Sequence, residues 1–380
     1  MGRSSALIGR RSLLMASLGI LGVRPQPTWA RGPGATACTR PARSGLDHMI
    51  GQMIVMGFWG SSTASPGARA IARWLRSGLI GGVIFFEDNL PSPQQAQHFT
   101  GLFRKAAAPS IPFLCVDQEG GIISRLRADH GFQPLPSASS VSRMSLNSAE
   151  HLYERTAAEL HSLGFNLNFG PVVDLALNKD NPVIERLGRS YGKNPQAVIA
   201  YAKAFIVAHR HHHILTAIKH FPGHGSTSID SHRSLPTITG VWQKEELRPF
   251  AELAKSGYAD MVMVGHLVHG QLSGPSRPAS LSTVAVQGLL RGRLGYKGVV
   301  VADDMQMGAL RRHFGPDERI LLGVEAGVDL FIYSNRLYPD RQMPERFHRV
   351  VKAAVESGRL TQKRIERSAI RLMHLKLPIQ

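Results

Sequence analysis

A short apolar run followed by a helical stretch recurs eight times after residue Leu46 of the 380-residue chain. The runs are rich in Val, Ile, Phe and Met, which is typical of strands buried on both faces of a parallel sheet. We expect strands at Met53–Gly57, Gly82–Phe86, Phe113–Val116, Asn166–Phe169, Leu215–Ile218, Met261–Val264, Val299–Ala302 and Leu330–Tyr333. Strands that alternate with helices over about 330 residues predict an α/β fold, a (β/α)8 TIM barrel.

A helix is expected after each strand, and two close the chain. We expect these helices at Gly67–Arg76, Gln94–Ala107, Ala149–Leu163, Pro195–His209, Gln243–Lys255, Val284–Arg293, Asp317–Ala326, Pro344–Ser357 and Gln362–Leu375. A doubly wound open sheet is the rival fold, but it requires a glycine-rich phosphate turn after its first strand, and Gly57-Phe58-Trp59-Gly60 does not match one. Because no internal linker interrupts the pattern, residues 46–380 are predicted to form a single domain.

The balance of charge restricts the partners that we expect. The formal net charge is +18, which favours anionic surroundings such as nucleic acid, acidic lipid or an anionic cell-wall polymer. No run of Lys and Arg with interleaved aromatic residues occurs, so nucleic acid is not expected as a partner. The two cysteines, Cys38 and Cys115, have no metal-binding spacing.

The first thirty residues have the pattern of an export sequence. Arg10-Arg11 precede an apolar run from Leu13 to Val23, which is too short to span a bilayer, and Ala30 offers a small residue at a cleavage position. Residues 1–30 therefore resemble a twin-arginine signal peptide, followed by a flexible linker at residues 31–45. We expect a periplasmic or secreted protein without a stable membrane span. The alternative is an uncleaved basic extension on a cytoplasmic protein.

Polar residues recur directly after the predicted strands. In a TIM barrel the functional site is built from the loops at the carboxyl ends of the strands. The residues in these positions are Glu87-Asp88-Asn89, Asp117, Asp174, Lys219-His220, His266, Asp303-Asp304 and Asn335. Helix N-capping would account for Asp304 or Asn335, but not for Lys219 or His266.

The loop after the fifth predicted strand is the densest in titratable groups. It holds Lys219, His220, His224, Asp230 and His232 among Gly and Pro residues that exclude a regular helix. A ring of Asp, Lys, His and Arg suits hydroxyl-rich ligands, because each sugar hydroxyl both donates and accepts hydrogen bonds. A carboxylate at a strand end can attack an anomeric carbon, while a His oriented by a carboxylate can act as the acid/base.

The sequence contains three longer motifs: K-H-F-P-G-H-G-x4-D-S-H from Lys219, D-Q-E-G-G-x3-R-L at 117–126 and A-D-D-M-x-M at 302–307. Together they resemble glycoside hydrolase family 3, specifically its β-N-acetylglucosaminidase branch. Segments 166–174, 189–192 and 278–282 are also similar to family segments, and the resemblance extends from about Leu46 to Leu330. The sequence departs from the family at Ile122, where Arg is common, and at Met305, where Leu is more usual.

The resemblance implies a retaining β-N-acetylhexosaminidase without a metal or other cofactor. Asp303 would be the nucleophile, His232 the general acid/base and Asp230 its dyad partner. The residues implied to bind the sugar hydroxyls are Asp117, Arg125, Arg189, Lys219 and His220. The implied substrate is a glycan that ends in β-linked N-acetylglucosamine (GlcNAc), such as a peptidoglycan fragment.

Four other functions remain open. A β-glucosidase of the same family usually needs a second domain, and a phosphorylase would pass the glycosyl group to phosphate. A metal-dependent hydrolase could use His220, His224, Asp230 and His232, although one flexible loop without H-E-x-x-H is a poor metal cage. A non-catalytic sugar-binding protein would not need both Asp303 and the D-S-H segment. If His232 is not the acid, Glu119 is the next candidate, and the sequence does not fix the oligomeric state.

Overall fold

The computed structural model describes residues 45–231 and 234–379. The predicted signal peptide, nearly all of the predicted linker with Cys38, and the acid/base candidate His232 therefore lie outside the described residues. Within the described ranges, eight parallel strands form a closed barrel. The predicted (β/α)8 TIM barrel is confirmed.

The barrel strands lie where the apolar runs predict them. In chain order the strands are β1 Ile54–Met56, β2 Gly82–Phe85, β3 Phe113–Val116, β4 Gln118–Gly120, β5 Ile123–Ser124, β6 Leu167–Asn168, β7 Leu215–Phe221, β8 Met261–Val264, β9 Val299–Ala302 and β10 Leu330–Tyr333. The barrel order is β1-β10-β9-β8-β7-β6-β3-β2, while β4 and β5 form a separate antiparallel hairpin directly after β3. Val264 lies opposite Ala302, and Ala302 opposite Phe331, so the carboxyl ends of β8, β9 and β10 lie close together.

The helices surround the barrel. They are α1 Leu46–Gly51, α2 Pro66–Arg76, α3 Pro93–Ala107, α4 Ala138–Val141, α5 Leu146–Ser162, α6 Pro195–His211, α7 Leu247–Lys255, α8 Gly308–Arg311, α9 Pro316–Ala326, α10 Met343–Glu356 and α11 Gln362–Lys376. Ser65, Ser92 and Ser145 cap α2, α3 and α5 by accepting a backbone N–H of the first turn. Val284–Arg293 has the predicted bounds but π-helical hydrogen bonding. Across the described ranges, each helix is too short or too polar to cross a bilayer.

Aromatic side chains fill the layer between the barrel and its helices on one side. Phe58, Phe85, Phe99 and Phe103 are at most 2% exposed, and the ring of Phe58 packs edge-on against the other three at centroid distances of 5.2 to 5.6 Å. Such edge-to-face pairs add to the stabilisation that comes from burial. This cluster joins the loop after β1 and the strand β2 to α3.

The fifth barrel strand is longer than predicted. We expected it to end at Ile218, but β7 continues to Phe221, so Lys219 and His220 lie within the strand. The register of β7 against β8 shifts between Ile218 and Phe221. The prediction was wrong because polar residues were taken to end the strand, whereas at this end of the barrel they are paired with polar partners.

Candidate active site

A cavity of about 410 Å³ opens at the carboxyl end of the barrel. Its lining comes from the strand ends and loops of β2, β3, β6, β7, β9 and β10 and from Met263 of β8. It includes six of the eight residues to which a role was assigned: Asp117, Arg125, Arg189, Lys219, His220 and Asp303. Its volume lies within the range of small-molecule sites.

Glu119 lies at the centre of the charged side chains in this cavity. Its carboxylate accepts two hydrogen bonds from Arg189, 2.7 Å from Nε and 2.9 Å from Nη2, and lies 2.6 Å from Lys219 Nζ. Burial alone would raise the pKa of Glu119, but the two cations hold that pKa well below its usual range. Because an ionised Glu119 has no proton to donate, it is unsuited to the role of alternative acid.

Lys219 connects Glu119 to Asp117. Its Nζ lies 2.8 Å from Asp117 Oδ1, and Arg125 Nη2 approaches Asp117 Oδ2 at 4.0 Å. Burial would lower the pKa of Lys219, but the two carboxylates raise it above its ordinary value. The Asp117 side chain keeps 17% of its surface exposed, so this carboxylate remains accessible from the cavity.

His220 is oriented by a buried carboxylate that received no role from the sequence. Its Nδ1 lies 2.7 Å from Asp174 Oδ2, and its Nε2 lies 3.3 Å from Arg189 Nη2. Asp174 also accepts the backbone N–H of His224 at 2.8 Å. Burial would raise the pKa of Asp174, but His220 and His224 lower it. The position of Asp174 after β6 suggested a site residue, but nothing in the sequence paired it with His220.

The first half of the long loop after β7 is held in place. Asn181 Nδ2 donates to the carbonyl of His224 at 2.7 Å, and Glu246 accepts the backbone N–H of Gly225 at 2.9 Å. His224 Nε2 lies 3.1 Å from Ser231 Oγ. Burial lowers the pKa of His224 to about 4, so its imidazole is neutral at pH 7.

Asp303 follows β9 in a turn that other polar residues support. Its Oδ1 accepts the backbone N–H of Asp304 at 2.8 Å. The Asp304 carboxylate accepts the backbone N–H groups of Gln306 and Ser334, each at 3.0 Å. The Asp304 carbonyl lies 2.9 Å from Nε2 of His266. Asp304 and His266, which the sequence placed at strand ends, thus support the turn that presents Asp303.

The proposed dyad is only partly described. Asp230 is half-buried and is absent from the lining of the cavity, whereas Ser231, the residue before His232, lines it. The Ser231 carbonyl accepts the backbone N–H of Ala309 in α8 at 3.2 Å. The pairing of Asp230 with His232 stays a prediction. In the described parts of the chain, His, Cys, Asp and Glu form no group of three or more that could hold a metal ion.

The family model of the Glycosyl hydrolase family 3 N terminal domain matches residues 45–375. Beta-hexosaminidase A of Pseudoalteromonas piscicida is 32% identical over 325 residues, which cover 78% of this chain and 53% of that protein. A beta-hexosaminidase of Stenotrophomonas maltophilia is 33% identical over 269 residues, which cover 68% of this chain and 77% of that protein. This chain thus spans about half the length of the Pseudoalteromonas relative.

Solved structures show the same architecture. A glycoside hydrolase family 3 beta-N-acetylglucosaminidase from Paenibacillus sp. matches with a TM-score of 0.80 and 34% identity over 88% of this chain and 62% of that chain. A beta-N-acetylhexosaminidase from Beutenbergia cavernae matches with a TM-score of 0.74 and 26% identity, and the match covers 87% of this chain and 98% of that chain. From the extent of these matches, the chain belongs to glycoside hydrolase family 3.

Proposed function

We propose that the chain is a retaining β-N-acetylhexosaminidase that removes terminal β-linked GlcNAc from glycans such as peptidoglycan fragments. The observation that carries the proposal is the place of Asp303, at the end of β9 in one cavity with Asp117, Lys219 and Arg189. A carboxylate beside fixed donors and acceptors suits attack on a sugar held by its hydroxyls. The relatives from Pseudoalteromonas and Stenotrophomonas are named beta-hexosaminidases, which supports a β-hexosaminide as the substrate.

The first step forms a covalent intermediate. The Asp303 carboxylate attacks the anomeric carbon as the bond to the leaving oxygen breaks, and that oxygen takes the proton of His232. Asp230 orients the His232 ring and balances its charge. In the second step His232 removes a proton from water, which attacks the anomeric carbon and releases Asp303.

The buried charges keep the binding groups in defined protonation states. Lys219 stays a donor because two carboxylates raise its pKa, and Glu119 stays ionised between Lys219 and Arg189. A sugar entering the cavity therefore meets groups that are already charged and oriented, which lowers the cost of reorganisation during the reaction.

We also propose that the enzyme acts in the periplasm or outside the cell. The twin-arginine pattern at Arg10-Arg11 supports export, and a net charge of +18 suits an anionic wall polymer. If the protein stays in the cytoplasm, a role in recycling wall fragments fits the same chemistry.

One assay tests the activity. Chromogenic β-GlcNAc and β-glucose glycosides are compared with and without phosphate, and free GlcNAc released independently of phosphate is the expected result. Faster release from the glucoside would make the protein a β-glucosidase, and formation of a sugar phosphate would make it a phosphorylase. Activity lost to a chelator and restored by a metal would indicate a metal-dependent hydrolase. The absence of turnover on both glycosides would leave sugar binding alone.

A further inference from the structure

His224 is buried beside the catalytic cavity but has no role in the reaction as proposed. It lies in the long loop after β7, is 3% exposed and lines the cavity. Lys219 and His220 precede it in the same motif as sugar-binding residues, and the acid/base candidate His232 follows it. Because burying a polar ring costs free energy unless its nitrogen atoms find partners, the contacts of His224 indicate what it does.

The backbone of His224 is fixed to the barrel. Its N–H donates to Asp174 Oδ1 at 2.8 Å, and its carbonyl accepts from Asn181 Nδ2 at 2.7 Å. Asp174 and Asn181 are themselves at most 1% exposed. The next N–H, of Gly225, donates to Glu246 at 2.9 Å. The backbone of His224 is thus a fixed point from which the imidazole ring extends.

The ring of His224 has one hydrogen-bond partner within residues 45–231 and 234–379. Its Nε2 lies 3.1 Å from Ser231 Oγ, while the buried Nδ1 has no partner in these ranges. The ring packs edge-on against His220 at a centroid distance of 5.8 Å. Burial lowers the pKa of His224 to about 4, so the ring is neutral near pH 7. The hydrogen bond to Ser231 is therefore what this ring adds to the site.

Ser231 is held on two sides. Its hydroxyl contacts His224, and its carbonyl accepts the backbone N–H of Ala309 in α8 at 3.2 Å. The side chain is buried and lines the catalytic cavity. Ser231 stands between Asp230 and His232, the members of the predicted dyad, and successive Cα atoms are about 3.8 Å apart. Fixing Ser231 therefore restricts where both members of the dyad can lie.

Other hydrogen bonds in this segment are local. The N–H of Ile229 donates to Thr227 Oγ1 at 3.0 Å, and the N–H of Ser234 donates to the carbonyl of Asp230 at 3.1 Å. Ile229 is also 38% exposed. These two bonds do not connect the segment to the barrel, whereas the contacts of Ser231 do. A segment with exposed side chains and local hydrogen bonds opens at low cost in free energy.

We propose that the hydrogen bond between His224 and Ser231 is a latch that holds the acid/base dyad at the catalytic cavity. His224 and Ser231 are then positioning residues for His232, and neither transfers a proton. The inference rests on the proposed hydrolase function and adds two residues to it. Because a hydroxyl and a neutral imidazole carry no charge, the latch fixes the dyad without adding a charge beside it.

The test uses variants that remove the latch in matched ways. Ser231→Ala removes the hydroxyl. His224→Asn removes the outer end of the ring, because an Asn amide reaches only as far as Nδ1, whereas His224→Gln extends to about the position of Nε2. The control is Ser228→Ala, which makes the same change at an exposed position of the same loop.

The expected loss depends on the leaving group. Ser231→Ala and His224→Asn should lose about tenfold in kcat/KM for alkyl β-GlcNAc glycosides, whose leaving oxygen needs the proton of His232. They should lose about twofold or less for nitrophenyl β-GlcNAc, which needs little protonation. His224→Gln and the control should stay within about twofold of wild type on both. Equal losses on the two glycosides would indicate a distorted sugar site and overturn the latch.

The double variant separates one shared hydrogen bond from two independent effects. If both residues act through the same bond, His224→Asn/Ser231→Ala should lose about the same tenfold in kcat/KM on the alkyl glycoside as either single variant. Losses that multiply to about a hundredfold would show that the residues act separately, which contradicts the latch.

Hydrogen–deuterium exchange tests the latch without a substrate. Peptides from residues 226–243 should exchange faster in Ser231→Ala and His224→Asn than in wild type and the Ser228→Ala control. Equal exchange in all four proteins overturns the latch. If wild type cleaves no glycoside, the proposed function fails, while the exchange result still decides whether the hydrogen bond holds the loop.

Discussion

Replacing Glu119 by Gln tests whether the charge network holds the site together. Glu119 is 7% exposed and accepts from both Arg189 and Lys219. Removing one partner of a buried ion pair costs about 3–5 kcal/mol in the free energy of unfolding. Gln keeps the volume, and Lys219 keeps Asp117 at 2.8 Å, so we expect the lower end, about 3 kcal/mol.

This loss converts to a measurable shift in Tm. For about 330 ordered residues, a loss of about 3 kcal/mol lowers Tm by about 4 °C. Thermal unfolding followed by circular dichroism measures the shift. The matched control is Glu325→Gln, which removes the carboxylate of an exposed pair with Arg359 and should leave Tm unchanged.

The shift should also depend on pH in a defined direction. The folded-state pKa of Glu119 is held below its unfolded-state value. The stabilisation is therefore present above the unfolded-state pKa of about 4.3 and is lost as the pH falls through the folded-state pKa. The difference in Tm between wild type and Glu119→Gln should be largest at neutral pH and should narrow in acid. Equal Tm values at neutral pH would refute the reasoning.

Three further predictions concern catalysis and export. Asp303→Ala should lower turnover roughly a thousandfold or more, and a variant that keeps a tenth of wild-type activity would exclude Asp303 as nucleophile. His232→Ala should slow the cleavage of glycosides with poor leaving groups far more than the cleavage of nitrophenyl glycosides, and Asp230→Ala should show the same trend more weakly. The measurement is kcat/KM over a series of leaving groups of graded acidity, and an equal loss across the series would contradict the prediction. Replacing Arg10 and Arg11 by Lys should retain the protein in the cytoplasm, and fractionation that finds wild type and variant distributed alike would disprove export.

The barrel could be predicted because its strands are buried on both faces. Runs such as Met261–Val264 and Val299–Ala302 are continuously apolar, so the ends of each run mark the ends of the strand. The structure has strands with the same bounds. The end of β7 could not be predicted in the same way. Its last residues include Lys219 and His220, whose burial depends on Glu119 and Asp174 from distant parts of the chain.

The sequence predicted which residues line the site better than it predicted the ion pairs and hydrogen bonds between them. Strand-end positions identified Asp117, Lys219 and Asp303, which line one cavity. The sequence did not indicate that Glu119 joins Arg189 to Lys219, because ion pairs between residues that are far apart in the chain leave no local pattern. Strand-end position alone did not distinguish Asp304 from Asp303, because the two are adjacent in the chain, and only the resemblance to the family singled out Asp303.

The most direct test of the central claim is the mass of the intact His232→Ala variant mixed with nitrophenyl β-GlcNAc. Nitrophenolate leaves without an acid, so the first step proceeds, whereas the loss of the base slows hydrolysis of the intermediate. We predict that the protein gains the mass of one N-acetylglucosaminyl group and that peptide mapping places this group on Asp303. An unmodified protein during turnover, or a group attached to Asp304, would contradict the account.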